Sequence, residues 1–183
     1  MVLSDSLHHQ HDSEDDGFET FLLRDDGTYP NNDQLRVVLY RDVVSFGDSD
    51  PEETMERRFL ENGWEGVWRN GLFGYHHYHA TAHEVLGLAR GTVTVQLGGE
   101  EGPLLELAAG DVVVLPAGVA HRNVDSSDDY VMIGAYPPGQ IWDVNTGGSD
   151  DHPRVDESLA SVPLPKSDPV YGPEGPLVGL WTS

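Results

Sequence analysis

This sequence predicts an all-β fold with one minor helix. From Gly63 onward, short apolar runs follow one another between Gly, Pro and acidic turns, a spacing that suits a sandwich or barrel and not βαβ units. Among them Thr92-Val93-Thr94-Val95-Gln96-Leu97 alternates polar and apolar side chains, the period-2 signature of a strand with one buried face. A single segment carries the start and stop signals of a helix. The 183 residues show no internal repeat and suit one domain with a proper core.

Taken in order, residues 1–17 combine low hydrophobicity with high charge and predict a disordered leader ahead of a single domain over 18–183. His8, His9 and His11 within it read as part of a solvated tail. The β-branched, apolar run from Leu35 to Val44 predicts a buried strand. Asp50 is placed to N-cap a helix, Pro51 fits its first position, Glu53 has capping-box spacing and Asn62-Gly63 supplies the stop. Met55, Phe59 and Leu60 form its apolar stripe. Further strands are expected at 75–79, 84–89, 92–97, 103–107, 112–115, 119–124 and 130–136. The Pro- and Gly-rich stretch 163–181 predicts an extended segment that wraps the barrel, anchored by Leu180 and Trp181.

Composition excludes several functions. With 32 acidic against 10 basic side chains the net charge is −22, which argues against a general nucleic-acid or anionic-membrane binder, since phosphate contacts need Lys and Arg. No apolar run approaches the roughly 18 residues of a membrane span, and the acidic, polar first thirty residues do not read as a Sec-type signal. Without cysteine there are no disulfides, thiolate zinc sites or cysteine nucleophiles. One lysine, Lys166, accompanies nine arginines. An acidic surface of this kind repels itself at low ionic strength and is screened in concentrated salt. The expected setting is a salt-rich, halophilic cytoplasm; a mesophilic acidic protein kept soluble by its charge is the alternative.

The chemistry concentrates in histidines. His76, His77, His79 and His83 fall within eight residues, and His121 lies further on. On a strand, residues 77 and 79 share a face with Tyr75, while 76 and 78 face the other way. Two imidazoles on one face beside the Glu84 carboxylate look like three legs of a site for one divalent transition metal: Fe, Mn, Co, Ni, Zn or Cu. Histidines satisfied by hydrogen bonds in a polar strand are the competing reading, the weaker one for four in eight residues. His83 and Glu84 compete for the third position. Glu84 shares its face with the large Leu86 and Leu88, which want the barrel interior; His83 shares its face with Val85, Gly87 and Ala89, a smaller set suited to lie under a helix. Parity favours Glu84, unless a bulge at residues 80–82 turns the strand and presents His83 instead.

The spacing reads Gly71-x5-His77-x-His79-x4-Glu84-x6-Gly91, then Gly110-x5-Pro116-x-Gly118-x2-His121. These blocks resemble the two motifs of the cupin superfamily, element for element. One departure exists: the family's second motif ends H-x3-N, whereas Asn123 follows His121 at two residues and Asp125 stands where that Asn would fall. The surrounding segments, including NGW, YHHYH, TAHEVLG and GAYPPGQ, are similar to a narrower group, the single-domain YjlB-like cupins. The resemblance implies a double-stranded β-helix, or jelly-roll, with its motif core over 71–136, and a metal in the barrel mouth on His77, His79, Glu84 and His121. It also implies a homodimer.

Around that site Tyr75 and Asn123 are expected to point inward with their neighbouring histidines, and His83 to support the site or to pack. Trp64, Trp68, Tyr136 and Trp142 are candidates for the walls. Arg69 and Arg122 are candidates for gripping a substrate carboxylate, or equally for balancing the acidic surface. No Ser-His-Asp set, P-loop, dinucleotide fingerprint or helix-turn-helix competes with this reading. Two functions follow: a metalloenzyme, dioxygenase-like or isomerase-like, acting on a small molecule, or a non-catalytic module that holds a small ligand.

Overall fold

A computed structural model of the chain describes residues 11–13 and 17–183. Its strands are β1 (His11–Ser13), β2 (Phe18–Leu23), β3 (Asn32–Tyr40), β4 (Glu65–Asn70), β5 (Glu84–Arg90), β6 (Thr92–Leu97), β7 (Leu104–Ala108), β8 (Val112–Leu115), β9 (His121–Ser126) and β10 (Val131–Tyr136). Helices α1 (Pro51–Glu61), α2 (Asp156–Ser161) and α3 (Pro176–Thr182) complete it. Seven strands form one antiparallel sheet in the order β1-β2-β3-β8-β5-β10-β4, and β7-β6-β9 form a second. The protein is an all-β jelly-roll with minor helix.

Alternation along β5 builds both sides of the large sheet. Leu86 and Leu88 join Val93, Val95 and Leu97 of the small sheet in the barrel interior. Val85 and Ala89 face the other way, into a core roofed by Met55 and Phe59 of α1 and by Leu177 and Trp181 of α3. A Cβ on Gly87 would come within 2.5 Å of Met55 and 2.8 Å of Phe59, so the helix sits against bare backbone there. At the β5–β6 turn, Gly91 has φ +72°, and a side chain would meet Ser127 Oγ at 2.3 Å.

The helix forms for the reasons its sequence suggests. Asp50 accepts a hydrogen bond from the Glu53 N–H at 2.9 Å, and Pro51 opens the first turn. Its buried stripe is Met55 and Phe59 alone, because Leu60 is turned outward and 54% exposed. The strand expected at 75–79 makes no ladder. It contributes two isolated bridges, His77 with His121 and Tyr78 with Asn145, on opposite sides of the chain. Strands β2 and β4 and helices α2 and α3 are additional to the sequence expectation. Of the leader expected over 1–17, residues 1–10 and 14–16 lie outside the described residues, whereas His11–Ser13 pair antiparallel with β2.

The C-terminal segment wraps the outer face of the large sheet. The buried Asp168 carboxylate accepts from the N–H groups of Val170, Tyr171 and Leu177 at 2.8, 3.1 and 3.1 Å, and from the Tyr40 hydroxyl. Trp181 donates to Arg36 O at 2.9 Å, and Trp64 to Ser167 O at 2.9 Å. Where Pro176 starts a turn with Leu177 and Trp181 four residues apart, both buried, the wrap becomes α3. Among the described residues no helix is long and apolar enough to cross a membrane.

Candidate metal centre

Local backbone pairing delivers the histidines. His77 and His121 exchange both backbone hydrogen bonds, at 3.2 and 3.0 Å, which brings their ring centroids within 4.2 Å. His79 is held one step on, its carbonyl accepting from the Gly118 N–H at 2.8 Å. Gly118 has φ +95°, and a Cβ there would strike Asn31 O at 2.2 Å, so glycine is required in this turn. One nitrogen each from His77, His79 and His121 lie within 4.8 Å of one another, and all three residues are buried.

Each imidazole is oriented the same way. Nδ1 of His77 faces Tyr75 O at 3.3 Å, Nδ1 of His121 faces Val119 O at 3.0 Å, and Nδ1 of His79 bonds the Asp143 carbonyl. A carbonyl only accepts, so each Nδ1 carries a proton, and in the neutral ring Nε2 presents a lone pair. The buried Nε2 of His121 has no hydrogen-bond partner. Into this group comes Glu84, 3% exposed, with Oε2 3.1 Å from His79 Nε2 and 3.3 Å from His121 Nε2. Lone pairs and an anion at such distances repel unless a proton or a metal cation sits between them, and the three clustered imidazoles with this carboxylate fit a metal ion. The backbone carbonyls that hold Nδ1 are the outer support that metal-binding histidines use.

The groups also set one another's charge. Burial opposes ionisation of Glu84, but His79 and His121 outweigh it and hold the carboxyl below the usual range. Burial would lower His79, and Glu84 reverses this and draws it upward. Burial pushes His77 down to about 3, so its imidazole is neutral.

The site opens onto a cavity of 330 Å³. Trp68, Leu72, Phe73, Tyr136, Trp142 and Val144 form its apolar wall. Tyr136 accepts from Trp68 Nε1 at 3.0 Å, and burial, then the neighbouring Glu84 charge, push its hydroxyl pKa up. Trp68 lies flat over Gly134, where a Cβ would come within 2.1 Å of the indole.

Other expected residues lie elsewhere. His83 faces away from the cluster: its Nδ1 accepts from the Ala117 N–H at 2.9 Å, and its ring packs 4.8 Å from that of Trp181. Burial lowers its pKa to about 4. Tyr75 is half exposed, stacked on Phe73 at 4.9 Å, and sits outside the cavity wall. Asn123 is off the wall too, donating from Nδ2 to Ser126 Oγ at 3.2 Å. Arg69 reaches the wall, but its guanidinium is taken by both carboxylate oxygens of Glu56. Arg122 is turned to Gln96 and Glu100 at 3.0 and 3.1 Å. Trp64 is buried beneath α1, away from the mouth.

One contributor escapes sequence reasoning. Asp143 supplies the carbonyl for His79 from 64 residues away. Its carboxylate accepts from the Ala80 N–H at 2.7 Å, Thr81 Oγ1 at 3.1 Å and Asn145 Nδ2 at 2.8 Å. Gln140 of the same loop accepts from the His83 N–H at 3.0 Å. The loop thus pins residues 80–83, the connection where a bulge would have rotated the strand. The only sequence signal is a Trp-Asp pair after a Pro-Pro-Gly turn, which nothing ties to His79.

The chain is similar in sequence to known proteins. The cupin domain family matches residues 65–133. The uncharacterized protein YjlB of Bacillus subtilis (strain 168) is 35% identical over 163 residues, covering 89% of this chain and 96% of that protein. Among solved structures, acireductone dioxygenase from Bacillus anthracis with cadmium in its active centre aligns at TM-score 0.36 and 17% identity, over 50% of this chain and 62% of that one. A DUF861 family protein from Thermotoga maritima aligns at TM-score 0.32 and 22% identity, over 45% of this chain and 86% of that one.

Proposed function

This chain belongs to the YjlB-like family of cupins, and from that premise we propose that it is a small-molecule metalloenzyme holding one divalent transition metal on His77, His79, Glu84 and His121. The observation that carries the reading is the convergence of three Nε2 lone pairs, one of them orphaned, with a buried carboxylate at the base of an aromatic-walled cavity. Three imidazoles and one carboxylate suit Fe, Mn, Co, Ni, Zn or Cu. Such an ion supplies Lewis acidity toward a substrate oxygen or, where redox-active, electrons, giving isomerase-like or dioxygenase-like chemistry.

The chain's own residues do the rest. Trp68, Trp142 and Phe73 bind the apolar part of the substrate and keep water from it. Tyr136 holds a proton on its hydroxyl beside Glu84, within the cavity. Asp143 fixes the ring of His79 through its carbonyl. A non-catalytic small-ligand module is the second reading. It is favoured by the scarcity of acid–base groups: apart from His77, His79 and Glu84, Tyr136 and Arg69 are the only titratable side chains among the described residues lining the cavity. The family relationship supports a homodimer, and the charge of −22 supports a salt-rich cytoplasm.

Metal analysis of freshly purified protein, followed by oxygen uptake on a panel of small substrates, tests the proposal. We expect about one equivalent of metal per chain, lost when His77 and His121 are replaced by Ala. Folded protein that retains no metal when offered any of the six ions rules the proposal out. A redox-active metal with oxygen uptake supports the enzyme; zinc without turnover supports the binding module.

A further inference from the structure

We propose that the cavity takes an uncharged, ring-bearing molecule with one hydroxyl or carbonyl group, and that its protein wall disfavours carboxylates and phosphates. The inference deepens the reading above, and rests on it only in calling the ligand a substrate. The wall is formed by Trp68, Leu72, Phe73, Tyr136, Trp142 and Val144, so a bound molecule exchanges water for apolar and aromatic surface. Trp142 lies nearly parallel to Tyr136, at 19° and 5.9 Å between centroids, and is still 49% exposed. A flat ring extends that stack at little entropic cost.

Charge decides what else the ligand carries. Arg69 is the only Lys or Arg among the described residues lining the cavity. Both ends of its fork are engaged by Glu56, through Nε on Oε1 and through Nη2 on Oε2 at 2.8 Å. A bidentate pair of this kind leaves no net charge for a ligand anion, although Nη1 keeps its N–H groups. Arg122, the other arginine beside the motif histidines, is spent on Gln96 and Glu100 and lies off the wall. A carboxylate entering here would lose its hydration without a protein cation to replace it, a strongly unfavourable exchange. The field of a chain with net charge −22 opposes its approach as well. Aromatic faces also attract cations; a loaded metal on His77, His79 and Glu84 would repel these and attract anions, so the wall's own preference is read on metal-stripped protein. A neutral ring with a hydroxyl or carbonyl meets none of these penalties.

Three probes with one ring and three charges test the idea: benzyl alcohol, benzylammonium and benzoate, titrated against tryptophan fluorescence at fixed ionic strength. Each is run on metal-loaded and on metal-stripped protein. Benzyl alcohol should bind at least about tenfold tighter than benzoate to metal-stripped protein, and tighter than benzylammonium to the loaded form. Trp142→Ala should weaken the alcohol several-fold while leaving metal content unchanged. Benzoate binding to stripped protein as tightly as the alcohol, benzylammonium binding tightest to loaded protein, or no binding of any probe up to its solubility would each overturn the inference. Failure to retain metal would overturn the metalloenzyme reading instead, and the ranking of alcohol against benzoate on stripped protein would still stand or fall by itself.

Discussion

Glu84→Gln and His83→Gln place the same amide at two adjacent, equally buried positions, 3% and 1% exposed, on opposite faces of one strand. Removing outer supports of metal ligands costs about 10–100-fold in metal affinity, so losing the carboxylate itself should cost more than about 100-fold, or roughly 2.7 kcal/mol. The metal-free fold should tolerate Glu84→Gln, because the new amide can donate to the Nε2 of His79 or His121, at the 3.1 or 3.3 Å now spanned by the carboxylate. His83→Gln should show the opposite pattern. Metal affinity should stay within about threefold, since His83 touches none of the cluster. It gives up the ring contact with Trp181 and disturbs the bond from Ala117 N–H, a loss of about 2 kcal/mol. In a chain of this size that is a fall of roughly 4–8 °C in the melting temperature of metal-free protein. Zn²⁺ competition against a chelator reads the first quantity, and thermal unfolding the second. If His83→Gln loses the metal and Glu84→Gln keeps it, both folded, the assignment of strand faces is wrong.

Asp168→Ala should destabilise the protein by about 4 kcal/mol in urea unfolding, because three backbone N–H groups and the Tyr40 hydroxyl lose a buried acceptor; a loss below about 1 kcal/mol would show that the C-terminal wrap does not hold the sheet. Asp143→Ala should weaken metal binding about 10–100-fold with little change in melting temperature, by freeing the loop that orients His79; unchanged affinity would remove Asp143 from the site's support. Arg90 holds the Glu52 carboxyl at about 2, below its ordinary 4.5, so the pair stabilises the fold fully above about pH 4.5 and loses that contribution as pH falls toward 2. The stability gap between wild type and Glu52→Gln should therefore close over that interval, and a gap constant with pH would refute the pairing. The unfolding midpoint should rise between dilute buffer and molar KCl, through screening of the −22 charge; an equal or higher midpoint in dilute buffer would remove the halophile inference.

Much of the barrel is legible because its strands repeat a period of two between obligatory turns. Strand β8 matches the expected 112–115, and β6 the expected 92–97. Strand β4 is not legible, since Glu, Gly and Asn occupy three of its six positions and all are poor strand formers. It exists through its pairing with β10, where Trp68 stands opposite Gly134 and needs that missing side chain to lie flat. Helix α2 buries no side chain and so leaves no apolar stripe to read.

The site was legible to the extent that it depends on alternation, and opaque wherever it depends on distant partners. Residues 75–79 make no ladder, yet two bridges keep the chain extended, and His77 and His79 still project together. Parity likewise sends Glu84 to the interior with Leu86 and Leu88, and His83 to the face that Trp181 covers. Arg69 shows where such reasoning ends. Its place one residue from Trp68, just before the first motif, suggests a grip on substrate. Its partner is nevertheless Glu56, 13 residues earlier on α1, brought alongside only because the helix packs over the large sheet. Neighbourhood in sequence assigns a face, but the charge a face presents to a ligand is set by what the fold stacks behind it. Here the fold turns the arginine beside the mouth into a neutral pair and leaves the cavity to its aromatic rings.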